Sequence, residues 1–171
     1  VVCANYDFTG TPLDGKVKPY VILEKAGVRI GVIGLLTDLH DVVDTHIAEL
    51  LKYQNPVEVT QKYATMLKDE KGCKLVICLT HLGFENEPYT DVELAAAVTD
   101  VDVIVGGHSH TRLEKLKKVY NPFGEPVIVV QDGKWGKEIG KLSVTLKPGV
   151  LYDKYRQVAR ENGFCMDGSW F

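Results

Sequence analysis

Val101-Asp102-Val103-Ile104-Val105-Gly106-Gly107-His108-Ser109-His110-Thr111 is an apolar run that stops at two glycines and delivers two histidines, one residue apart. An apolar, β-branched run closed by glycine reads as a buried strand. In extended backbone, residues i and i+2 project to the same side, so His108 and His110 are expected to face one site. Glycine lets the chain turn sharply or approach a ligand closely. Two imidazoles presented this way point to a metal ion. The competing reading is a polar loop with incidental histidines.

The chain just before this stretch repeats the device. Cys73 to Thr80 is a second apolar run and ends in His81-Leu82-Gly83. Thr90-Asp91-Val92-Glu93 is a capping box opening a helix, with Leu94, Ala95, Ala97 and Val98 apolar. The order is therefore strand, His81, helix, strand, His108. Parallel strands joined by a helical crossover are near neighbours with their carboxyl ends on the same side. Ligands of open α/β sheets bind outside those ends, so His81, His108 and His110 are expected to converge on one crevice.

The rest of the chain fits an α/β domain. Residues 1–5 read as a short strand, and 6–19 as a loop with Gly10, Pro12, Gly15 and Pro19. Tyr20 to Lys25 and Val28 to Leu36 are strands joined at Ala26-Gly27, a two-residue hairpin turn. Asn55-Pro56-Val57-Glu58 starts a helix with an N-cap, proline at the first position and glutamate at the third, and Gly72 ends it. Pro126 to Gln131 and Lys141 to Lys147 read as further strands around a glycine-rich connection, and Asn121 to Gly124 as a turn. Residues 1–147 form the domain. Residues 148–171 are a C-terminal tail, read as an amphipathic helix from Leu151, Tyr155, Val158 and Ala159.

The run Asp38-Leu39-His40-Asp41-Val42-Val43-Asp44-Thr45-His46 is dense in potential ligands. It reads chiefly as a solvated loop or helix start, with a self-contained site on Asp38, His40, Asp41, Asp44 and His46 as the alternative. Cys3, Cys73, Cys78 and Cys165 make no C-x-x-C pair and are expected to be free thiols.

Composition narrows the function. Of 171 residues, 45% are hydrophobic and 25% charged, as in globular domains with a sizeable core. The formal net charge of −3 offers no electrostatic footprint for nucleic acid or an anionic membrane. No apolar stretch approaches the roughly 20 residues that span a bilayer. The opening Val1-Val2-Cys3 carries no signal pattern and reads like a strand already under way, so a mature or cut chain is expected.

Leu79-Thr80-His81-Leu82-Gly83, the Val103 to Thr111 stretch and Val129-Val130-Gln131 together resemble the 5'-nucleotidase family of calcineurin-like metallophosphoesterases. Val2-Cys3-Ala4-Asn5 and Val28 to Gly34 extend the resemblance, which covers residues 1–146. It implies part of an α/β/β/α sandwich with mixed sheets and helices outside. It also implies hydrolysis of nucleotide phosphate esters by two divalent metal ions, with Zn or Mn favoured. His81 and His108 would bind one ion and His110 the other. A periplasmic or extracellular location is implied as well.

The family's Asp-x-His after the first strand, its Gly-Asp and its Gly-Asn-His are not found. Asp38-x-His40 has the letters of the first but follows the wrong strand. The chain therefore looks like the second half of the catalytic domain, supplying part of a dimetal site, with no catalytic or substrate-binding residue assignable. Alone it is expected to be inactive, and to self-associate through uncovered strand edges. The alternative is an excised or degenerate α/β module without catalysis, binding one metal or none.

Overall fold

The computed structural model describes residues 1–85 and 89–146. In chain order the elements are β1 (Tyr6–Asp7), β2 (Tyr20–Lys25), β3 (Val28–Leu36), a 3-10 turn (Leu39–Asp41), α1 (Thr45–Ala48), β4 (Lys52–Tyr53), α2 (Pro56–Asp69), β5 (Leu75–His81), α3 (Asp91–Ala97), β6 (Val103–Val105), β7 (Lys117–Tyr120) and β8 (Pro126–Val130). Six strands form one sheet in the order β2-β3-β5-β6-β8-β7, and β1 and β4 pair separately. The central β3, β5, β6 and β8 are parallel. Antiparallel β2 and β7 close the two edges. The architecture is a mixed-sheet α/β fold.

Burial follows the two-residue period of the strands. Ile33, Cys78, Ile104 and Val129 lie in one cross-strand row and are all fully buried. The next row is Gly34, Leu79, Val105 and Val130, in which Leu79 and Val105 are 43% and 40% exposed. Helices account for the difference. α2 packs on β3 and β5, α3 packs on β7 and β8, and the two helices touch each other. A Cβ on Gly31, which shares the parity of Ile33, would press on Leu67 of α2. Among the described residues, the sheet thus has one helix-covered face and one face left open beyond β3, where Val2 covers Gly34.

Local chemistry explains the element ends. Asn55 Oδ1 accepts from the N–H groups of Val57 and Glu58 at 2.9 and 3.4 Å and so starts α2. Gly72, at φ +67°, turns the chain after it. Thr90 and Glu93 form the reciprocal capping box of α3, at 3.2 and 3.0 Å. Ala26 and Gly27, at φ 51° and 76°, make the two-residue hairpin between β2 and β3.

Two expectations are corrected, and one strand is added. Residues 1–5 form no strand beyond a bridge from Val2 to Lys18; instead the Asn5 amide donates to Leu36 O at 2.7 Å and accepts from Leu36 N–H at 3.0 Å. The Asn5 side chain and a single backbone bond, Ala4 N–H to Gly34 O at 2.8 Å, tie this segment to β3. The basic segment after Arg112 contains β7, which a turn folds back onto β8. Residues 141–146 form no strand, and Leu142, Val144 and Leu146 stand exposed, because no strand among the described residues meets them. The tail helix read over 148–171 lies outside the described residues. Cys3, Cys73 and Cys78 are free and buried, and burial pushes the Cys3 thiol up to about 11.

Candidate metal centre

His81 is the last residue of β5, and His108 follows the end of its parallel neighbour β6 by three residues. Alternation along β5 sends Thr80 to the helix-covered face and His81 to the open one. The His81 and His108 rings meet edge to face, with centroids 5.1 Å apart. Desolvation holds the His81 pKa below the ordinary imidazole value, and the neighbouring His108 and His110 depress it further. A neutral imidazole is the form that binds a metal ion.

The two glycines are required for close approach. A Cβ on Gly106 would run into Asp91 Oδ2. One on Gly107 would lie 3.0 Å from His81 Nδ1. The expectation of extended backbone at the histidines is corrected, since His108 and His110 both have left-handed conformations, at φ 77° and 58°. Such non-glycine residues cost on the order of 1–3 kcal/mol each and persist where surrounding contacts impose them.

Ser109 and Gln131 provide those contacts. Ser109 Oγ accepts from the Phe84 N–H at 2.9 Å and bonds Thr111 Oγ1 at 2.9 Å. Gln131 is 2% exposed and follows β8 directly. With its amide oriented so that each atom finds a partner, its oxygen accepts from the N–H groups of His110 and Thr111 at 3.2 and 3.1 Å. It also accepts from Ser109 Oγ at 3.2 Å. The loop is thereby wound away from the extended form.

His110 is exposed and lies beside Trp135, with ring centroids 6.4 Å apart. Among the described residues, no three His, Cys, Asp or Glu side chains are grouped closely enough to hold a metal ion. The His81–His108 pair fits as two nitrogen ligands of one ion, by donor type and separation. The Asp38–His46 run is occupied otherwise. Asp38 Oδ1 takes the His40 N–H at 3.0 Å and its ring Nδ1 at 2.7 Å, and Asp44 Oδ1 takes the His46 N–H at 2.9 Å. Both aspartates are caps of short helical turns.

Two residues of this region are given no site role by the sequence reading: Gln131 and Asp91. Gln131 is signalled by its place at the carboxyl end of a strand adjacent to β6. Asp91 reads in sequence as part of a helix start, yet it is fully buried. Burial raises its pKa to about 6, against the lowering effect of the Thr80 hydroxyl.

No protein-family model matches the chain. A probable 5'-nucleotidase of Treponema pallidum is 34% identical over 154 residues, which is 81% of this chain and 25% of that protein. The solved 5'-nucleotidase precursor of Thermus thermophilus superposes with a TM-score of 0.70 and 35% identity, over 80% of this chain and 28% of its own. The calcineurin-like phosphoesterase YfkN of Bacillus subtilis superposes with a TM-score of 0.62 and 25% identity, over 80% of this chain and 47% of its own. The chain spans 25% of the length of the Treponema relative. With the Gly-Gly-His loop beside His81 on a parallel α/β core, these likenesses show that the chain belongs to the 5'-nucleotidase family of calcineurin-like metallophosphoesterases.

Proposed function

We propose that this chain supplies part of the metal centre of an enzyme that hydrolyses phosphate esters of nucleotides. The observation that supports the reading best is the His81–His108 pair, 5.1 Å apart at adjacent parallel strand ends. His81 and His108 would hold one divalent ion, Zn or Mn by donor type, and His110 would serve a second ion. When bound, such ions polarise the phosphoryl oxygens and lower the pKa of a bound water. The chain's own contribution is to keep the two imidazoles side by side and to fix their loop through Ser109 and Gln131.

Two-metal hydrolysis needs ions about 3.5–4 Å apart, and a bridging carboxylate that keeps two dications that close. Neither this carboxylate nor a third ligand is grouped with the histidines among the described residues. The isolated chain is therefore proposed to release phosphate from AMP at no useful rate. A longer polypeptide containing it would be competent. The same observation favours the second reading, a non-catalytic module that binds one ion or none. The Thermus relative is a precursor, which supports a periplasmic or extracellular site of action. Among the described residues no helix is long and apolar enough to cross a membrane.

The test has two parts. Zinc titration of the chain should give one site that His81→Ala and His108→Ala both abolish; no binding by the unaltered chain would defeat the metal reading. Phosphate release from AMP should be negligible for the chain alone. Turnover that disappears in His108→Ala would show that the chain holds a complete site.

A further inference from the structure

Asp91 is fully buried at the first position of α3, a place where an exposed acid would satisfy the helix start equally well. Its backbone N–H donates to Gly83 O at 2.8 Å, two residues after His81. Its Oδ1 accepts from Thr80 Oγ1 at 2.6 Å, one residue before His81. Its Oδ2 has no hydrogen-bond partner and sits in the space that a Cβ of Gly106 would occupy, two residues before His108. One residue thus touches the chain on both sides of His81 and at the base of the His108 loop.

All of this lies on the helix-covered face. Thr80 shares the parity of Val76 and Cys78, and Gly106 that of Ile104, all on that side. His81 has the opposite parity and belongs to the open face. Holding Thr80 inward therefore holds His81 outward. Seating Gly106 against the carboxylate brings the loop down toward β5, where Gly107 passes beneath the His81 ring. A leucine would fill the same volume without desolvating a carboxyl group, so packing alone does not account for an acid here.

We propose that Asp91 is a positioning residue that clamps, from the helix side of the sheet, the two strand ends whose other side carries His81 and His108. The inference rests on the proposed metal-binding role of those histidines, and its test reads the two separately. In the metal-free, 13C-histidine-labelled chain, the His81 and His108 rings should show an inter-ring nuclear Overhauser effect. Asp91→Ala and Thr80→Val should weaken it at least threefold. They should also lower zinc affinity by about 10–100-fold, the usual effect of losing the partner that orients a ligand. Val98→Ala, which opens the core under the same helix, serves as the control; it should lower the melting temperature and leave both readouts unchanged.

Thr80→Val keeps the side-chain shape, so it guards against Asp91→Ala failing to fold. An inter-ring effect and zinc affinity equal to the unaltered chain, with only the melting temperature lowered, would overturn the proposal. If the unaltered chain binds no zinc while the inter-ring effect responds as stated, the positioning role stands and the metal reading falls.

Discussion

Asp91 makes the stability of the chain depend on pH in an unusual direction. Its carboxyl titrates at about 6 when folded, raised by burial from an ordinary 3.8. A raised acid binds its proton more tightly in the folded state, so its contribution is fully present below about pH 4 and is lost as pH rises through about 6. The difference is about 3 kcal/mol between the two ends of that range. Asp91→Asn carries no charge to bury. It is expected to flatten the pH profile and to exceed the unaltered chain in stability above about pH 7, in urea melts across the range. A parallel profile for the two proteins would show that Asp91 titrates normally. The same residue limits its neighbour. Gly106→Ala must displace the buried carboxylate, and overpacking of this kind costs about 2 kcal/mol, to be read as a shift in the urea midpoint.

Short elements depend on their ends, and here the ends were readable. α2 and α3 start where Asn55 and Thr90 announce them, because a cap is a local bargain between one side chain and the next turn. Asn55→Ala is expected to cost about 1 kcal/mol by denaturant unfolding. The β2–β3 hairpin offers a gain. Ala26 sits at φ 51°, where glycine or asparagine is favoured, so Ala26→Gly should raise stability by about 0.5 kcal/mol in the same measurement. Strand readings were less uniform for a physical reason. Leu142, Val144 and Leu146 alternate as a strand should, yet alternation supplies only a face, whereas a strand exists through hydrogen bonds to a neighbour. β7 shows the converse: Lys117 and Lys118 hide a strand from any hydrophobic count because it is an edge, where lysine is at home.

The described residues are lopsided. Helices cover one face of the sheet, and the other shows Leu79 and Val105, with Trp135 75% and Ile139 96% exposed elsewhere on the surface. Apolar area of this kind, together with the exposed Leu23 on edge strand β2, is expected to draw chains together. Light scattering at micromolar concentration should show a mass above that of one chain. Val105→Lys should shift the distribution toward the monomer. A monodisperse monomer for the unaltered chain would count against the open face as an adhesive surface.

The parallel pairing of β5 and β6, the caps and the histidines at strand ends were legible in the residues themselves. Each rests on interactions within a few positions or on a period of two or 3.6. The spacing of His108 and His110 was legible too, but its meaning was not. Extended backbone would have put both rings on one side, whereas contacts from Ser109 and Gln131 wind the loop into left-handed conformations and leave His110 beside Trp135. Gln131 stands 21 positions from His110 and Asp91 stands 15 from Gly106, and only the closing of the sheet brings them together. Buried polar partners of that kind leave no local period, which is why the histidines announced themselves and the residues that hold them did not.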